Sequence, residues 1–177
     1  MADSVLNVLQ GGAVVSLGAW VTAGGAGTLT DVGIIQGGLK FDDKRTYHKI
    51  EYDHHLGELK ANCTKRTAQI KFKVGEMSLR NLALSLDGLG MLGTSTSPNN
   101  SILHNPDAVA TELQCQFTAP GLGTNKLRTF TAWKGVVTAH SPIDFSKTVE
   151  QSTEFTIDLL QDLTVVTADQ DYKFVDS

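Results

Sequence analysis

At 177 residues the chain is long enough to bury one sizeable core and short for two. Charged residues make up 19% and aromatics 7%, the composition of a globular protein and not of a disordered one. The formal net charge of −4 excludes a duplex-DNA clamp built on overall positive charge.

The chain opens on an arm, residues 1–11, with Asp3 where a secretory signal needs positive charge. No apolar run reaches transmembrane length, so a cytoplasmic protein without a membrane anchor is expected. A short strand over 13–17 precedes the glycine-rich loop 20–28. That loop lacks the Lys-Ser/Thr pair that a phosphate cradle requires after its glycines.

Residues 32–41 read as an apolar strand bulged at Gly37-Gly38, ending at a turn over Asp42-Asp43. Residues 45–52 alternate as a second strand, with His48, Ile50 and Tyr52 on one face and Tyr47, Lys49 and Glu51 on the other. A polar loop, Asp53-His54-His55-Leu56-Gly57-Glu58 within 53–61, turns the chain into a long return strand over 63–74. There Ala68, Ile70, Phe72 and Val74 face inward while Gln69, Lys71 and Lys73 face out. A one-residue slip would expose that whole apolar row.

Ser78 is a good N-cap for a helix over 78–86, whose stripe of Leu79, Leu82, Ala83 and Leu86 is expected to pack on the core. Asp87-Gly88 ends it. The letters G-x-G-x-x-G over 88–93 follow a helix and run into a serine-rich stretch. They mark a mobile loop, 88–107, and not a dinucleotide fingerprint, which follows a strand and opens a helix.

Alternation returns over 109–117, after which 119–125 reads as a turn. A long strand over 127–139, bulged at Gly135, is broken by Ser141-Pro142. Residues 149–160 alternate with Thr153, Phe155, Ile157 and Leu159 on one face. An acidic arm, 164–177, closes the chain. The pattern predicts one domain over 1–177, mainly β: an antiparallel sandwich or split barrel with one flanking helix.

Chemistry-bearing clusters do not emerge. His54 and His55 are adjacent, with Asp53 and His48 nearby, but neighbours on a strand point to opposite faces and would not share one ion. No G-x-S-x-G nucleophile elbow occurs. Cys63 and Cys115 lack metal-ligand spacing and are expected as buried free thiols. Neither catalysis nor a metal nor a cofactor is expected.

The run Asp31-Val-Gly-Ile-Ile-Gln-Gly-Gly-Leu-Lys-Phe41, the segment Lys49-Ile-Glu-Tyr-Asp53, the basic strand, and Glu76-Met-Ser-Leu-Arg-Asn-Leu-Ala-Leu84 together resemble the major tail tube proteins of long-tailed bacteriophages. Phe130-Thr-Ala-Trp-Lys-Gly135, Ile143-Asp-Phe145 and Glu154-Phe-Thr-Ile-Asp158 are similar to the closing strands of that family. The type VI secretion tube, tail terminator and baseplate proteins are alternatives within the same fold group.

The resemblance implies a structural virion protein whose hexameric rings stack into a hollow tail tube, conducting double-stranded DNA without reading its sequence. Its partners would be further copies of itself, the tape measure protein, the tail terminator and baseplate proteins. It would assemble in the host bacterial cytoplasm and reside in the virion tail. Asp53 to Glu58 would stack one ring on the next. Lys49, Glu51, Gln69, Lys71 and Lys73 would lie on an inter-subunit or lumen strand. A basic lumen would retain DNA, which carries about one charge per 1.7 Å, so those lysines are expected to meet acids in the C-terminal third of a neighbouring copy. A β-sandwich module binding carbohydrate or a host surface is the reading from a different class. Such a module displays aromatics, and the chain has two tryptophans, Trp20 and Trp133, with no aromatic ladder.

Overall fold

Period-two alternation of apolar and polar side chains dominates the backbone seen in a computed structural model. It describes residues 12–22, 25, 27–50, 60–76, 78–86, 110–121, 126–142, 152–165 and 171–177. In chain order the elements are β1 (Val14–Ala19), β2 (Thr30–Asp31), β3 (Ile35–Ile50), β4 (Lys60–Val74), α1 (Leu79–Leu86), β5 (Leu113–Pro120), β6 (Leu127–His140), β7 (Thr153–Leu159) and β8 (Tyr172–Asp176). Every pairing is antiparallel, and the strands join in the order β2-β1-β5-β6-β7-β4-β3, with β8 added to β6. The mainly β, single-helix fold that the alternation predicts is what forms. No helix among the described residues is long and apolar enough to cross a membrane.

One strand organises the sheet. On one edge of β6 lies β5; the other edge carries β8 against Arg128–Ala132 and then β7 against Gly135–His140. Where the two halves meet, Leu113 and Cys115 of β5 face Gly135 and Ala132, so Trp133 and Lys134 oppose the single residue Gln114. The bulge thus sits just before Gly135. Gly135 is buried for a different reason: a Cβ there would come within 2.8 Å of Ile157 Cγ2 and 3.2 Å of Asp158 O.

The sheet also curls on itself. Phe41 of β3 lies 5.3 Å from Phe130 of β6, ring centroid to centroid. Three strand steps separate them, which in a flat sheet would be about 14 Å. The space enclosed holds Val15, Leu17, Ile70, Phe72, Val74, Leu113, Cys115, Phe117, Phe130, Phe155 and Ile157. Stacked pairs, Phe117 on Phe130 at 4.4 Å and Phe72 on Phe155 at 5.3 Å, fill it with aromatic contacts of known favourable geometry.

Helix α1 closes one end. Ser78 Oγ accepts from Asn81 N at 3.2 Å, the cap expected of it. The buried face is Asn81, Ala83, Leu84 and Ser85, whereas Leu79 and Leu82 are half-buried and Leu86 is 42% exposed. Of the expected stripe only Ala83 is fully buried. The helix is rotated because Asn81 Nδ2 donates to Val32 O and Glu76 O, both at 2.8 Å. A buried amide with two fixed acceptors sets the angle more firmly than leucine contacts, which tolerate sliding.

Three further expectations need correction. The residues Asp42-Asp43 form no turn: β3 runs unbroken through them, because each continues the register with Gln69 and Ala68 of β4. The last residues are no loose arm: Tyr172–Asp176 pair along Arg128–Ala132, and Ser177 exchanges backbone hydrogen bonds with Leu127. Cys63 is exposed, because its part of β4 lies beyond the sheet body, while Cys115 is buried as expected. The arm 1–11 and the loop 88–107 lie outside the described residues.

Candidate functional site

The outer half of the β3–β4 hairpin, beyond the Asp43–Ala68 row, takes no part in the core. Pairing of β4 with β7 stops at Ala68, opposite Leu159. Among the described residues β3 and β4 pair beyond that row only with each other, and residues 44–49 and 61–67 are all exposed. Seven more residues of β3 follow Asp43 within the strand, on the order of 24 Å at ~3.4 Å each. A two-stranded ribbon with both faces in water gains no burial from its apolar side chains and is marginal by itself. Its other long edge is open too: among the described residues no strand pairs β3 on the side away from β4.

An ionic and aromatic clasp holds the root of this ribbon. Arg66 binds Asp43 through Nε at 3.1 Å and Nη2 at 3.2 Å, and reaches Asp171 through Nη1 at 3.1 Å. The Tyr172 hydroxyl donates to Asp43 Oδ2 at 2.8 Å and accepts from Arg66, whose guanidinium also lies 5.0 Å from the Tyr172 ring centroid. Arg45 donates to the same Asp43 oxygen at 3.2 Å. Hydrogen bonding from Arg66 is the main reason the Asp43 carboxyl is pulled down to about 2, with Tyr172 and Arg45 adding to it against partial burial. Phe41 packs edge-on against Tyr172 at 5.0 Å and Phe174 at 5.8 Å, so β8 grips the hairpin root with rings as well as charge.

The outward face of β3–β4 carries a different arrangement. Lys40 stands directly opposite Lys71, and Lys73 is two residues further on the same face, with Glu154 of β7 opposite it. Beside them Gly37 and Gly38, at φ 73° and 79°, insert two residues between the Gln36–Lys73 and Leu39–Phe72 rows. The insertion leaves a hollow of about 180 Å³.

The expected strand residues are therefore not all together. Lys71 and Lys73 share one exposed face, but Gln69 is half-buried and donates to Asp158 at 2.7 Å. Lys49 lies opposite Ala61, ten residues from Lys71 along β4, toward the ribbon's far end. Glu51 and the tip residues Asp53, His54, His55, Leu56, Gly57 and Glu58 lie outside the described residues. Sequence reading missed Lys40, whose partner across the strands only the register reveals. It also missed the Arg66–Asp43–Tyr172 clasp, which joins residues more than 100 positions apart.

Among the described residues no group of three or more His, Cys, Asp or Glu converges as a metal site would require. Trp20, half of the tryptophan content that a carbohydrate platform would need, is committed internally. Its indole N–H donates to Asp162 at 2.9 Å, and Lys134 sits 4.5 Å from its ring centroid. Burial alone would raise the Asp162 carboxyl, but hydrogen bonds from Thr164 and Trp20 outweigh it and hold it below its usual value.

No protein-family model matches the sequence. No curated protein matches it either. Among solved structures the chain is similar to one in the cryo-EM structure of the anti-feeding prophage (AFP) baseplate, 6-fold symmetrised. The two are 10% identical, with 99% of this chain and 97% of that one covered, at a TM-score of 0.47.

Proposed function

We propose that the chain is a non-catalytic structural subunit that assembles with copies of itself into rings, and through stacked rings into a tube of the phage-tail kind. The single observation that carries this reading is the β3–β4 ribbon: a long strand pair exposed on both faces and, among the described residues, open along both long edges. Such an edge is a template for another chain, and closing several ribbons into one barrel removes every free edge at once. The sequence resemblance to tail tube proteins points the same way, and a permanent contact of this type would bury more than about 2,000 Å².

In this reading the tip loop 53–58 reaches the adjoining ring, and DNA passes through the lumen without base-specific contact. The tape measure, terminator and baseplate proteins meet the tube at its ends. Negative-stain electron microscopy of the purified chain at high concentration is the test. Rings or tubes are expected. A monomer that persists at every concentration and ionic strength overturns the reading. Removing residues 53–58 should leave folded subunits, and rings that do not stack; unchanged tubes would detach the tip from that role.

A further inference from the structure

The charges on β3–β4 divide into two sets. Arg45 and Arg66 face each other across the strands, a like-charge pairing that is unfavourable by itself. Here Asp43 lies between them and binds both, and Asp171 adds a second acid. Lys44 likewise pairs with Asp42 at 2.8 Å. Lys40 and Lys71 repeat the like-charge pairing without the remedy. Among the described residues Lys40, Lys71 and Lys73 make no ion pair, and Glu154 is the one acid beside the hollow that they line. Among the described residues the other opposed pair, Arg45 and Arg66, is neutralised internally, whereas these three face outward.

Among the described residues most carboxylates are already engaged. Of the described acids in the C-terminal third, Asp162 is held by Trp20 and Thr164, Asp171 by Arg66, Asp176 by Arg128, and Asp158 by Gln69, while Asp144, Glu150 and Asp169 lie outside the described residues. Asp42, Asp43 and Glu112 are paired with cations. Of the described acids, Glu154 lies on the lysine face itself, which leaves Asp31 and Glu76, both exposed and neither in an ion pair among the described residues. They are already oriented: Asp31 Oδ1 accepts from Gly33 N at 2.9 Å, and the Glu76 carboxylate lies over Gly33, where any Cβ would collide with it. Arg80, the cation lining the same groove, spends its guanidinium on the carbonyls of Leu17 and Asp31.

Resting on the assembly reading above, we infer that the Lys40–Lys71–Lys73 face of one copy docks on the Asp31–Glu76 pair of the next. The two patches share no residue, so a contact of one with the other is heterologous and not self-complementary. Repeated by rotation, a contact of that kind closes into a ring. Glu154 beside the lysines counts against a polyphosphate occupant, as does the net charge of −4.

The test is a charge exchange. One variant carries Lys71→Glu and Lys73→Glu; the other carries Asp31→Asn and Glu76→Lys, the asparagine keeping an acceptor for Gly33 N. All substituted side chains are exposed, and circular dichroism and melting serve to show that both variants fold. Each variant alone should need at least about tenfold more protein to assemble, because like charges then meet at the contact. An equimolar mixture should recover assembly, since every junction between unlike copies restores opposite charges.

Wild-type-like assembly of either folded variant alone overturns the pairing, as does a mixture that stays dispersed. So does wild-type retention of a duplex DNA oligonucleotide that the Lys71→Glu, Lys73→Glu variant loses, which would assign the lysines to nucleic acid. Failure of the wild type itself to assemble is a separate result that removes the proposed function as well.

Discussion

Arg66 reaches diagonally across β4 and β3 to clamp both carboxylate oxygens of Asp43, at the last row before the ribbon leaves the sheet. Tyr172 locks the pair from β8, so the final strand of the chain sets the direction in which the hairpin projects.

Replacing Arg66 by alanine should therefore cost about 1 kcal/mol in urea unfolding at neutral pH, the scale of a networked but partly exposed ion pair. Hydrogen exchange should rise over residues 44–49 and 61–67 more than in the body. The pH dependence follows from the Asp43 carboxyl, which the folded state holds at about 2 against an ordinary value of 3.8. A depressed carboxylate stabilises fully above its unfolded value and loses that contribution as pH falls through the folded one. The gap between wild type and Arg66→Ala should shrink from pH 3.8 downward and be nearly gone at about 2.

Asn81→Ala should cost roughly 1–3 kcal/mol, since it strips the buried Val32 carbonyl and the Glu76 carbonyl of their donor. Asn81→Asp should be worse, because a carboxylate would face those carbonyls with no proton to give. Thermal denaturation of both variants orders them.

Thr153→Val should be neutral or stabilising by up to about 1 kcal/mol. The Thr153 hydroxyl is fully buried in β7 and has no hydrogen-bond partner among the described residues, so a methyl group of the same shape removes an unmet polar atom. A loss of more than that on urea titration would show that the hydroxyl has a partner in solution.

Thiol titration with a disulfide reagent should find one reactive cysteine in the native protein and two after denaturation. Cys63 is exposed on the ribbon. Cys115 is enclosed between β1 and β6, and burial pushes its thiol up to about 12, leaving almost no thiolate at neutral pH. A Cys63→Ser variant that still reacts in the native state would contradict this placement.

Local pattern alone identified the strands whose two faces differ. Ala68 to Val74 and Thr153 to Leu159 alternate because one face meets the core and the other water, and that contrast is written directly in residue type. The same holds for Ser78, whose capping hydroxyl acts over three residues. Long-range partners decided the rest. Asp42-Asp43 has turn-like composition, yet β4 extends it by register and Arg66 absorbs its charge. The acidic Tyr172–Asp176 segment carries no clean alternation, since its place depends on a free edge of β6 at least 40 residues away in register. Helix α1 turns on the amide of Asn81, which a leucine stripe cannot announce. Lys71 and Lys73 were legible as outward, but that Lys40 stands opposite Lys71 with no ion pair among the described residues was settled only when two strands came into register. Sequence records which side chains avoid water; which charges are left unanswered depends on what the folded chain brings beside them.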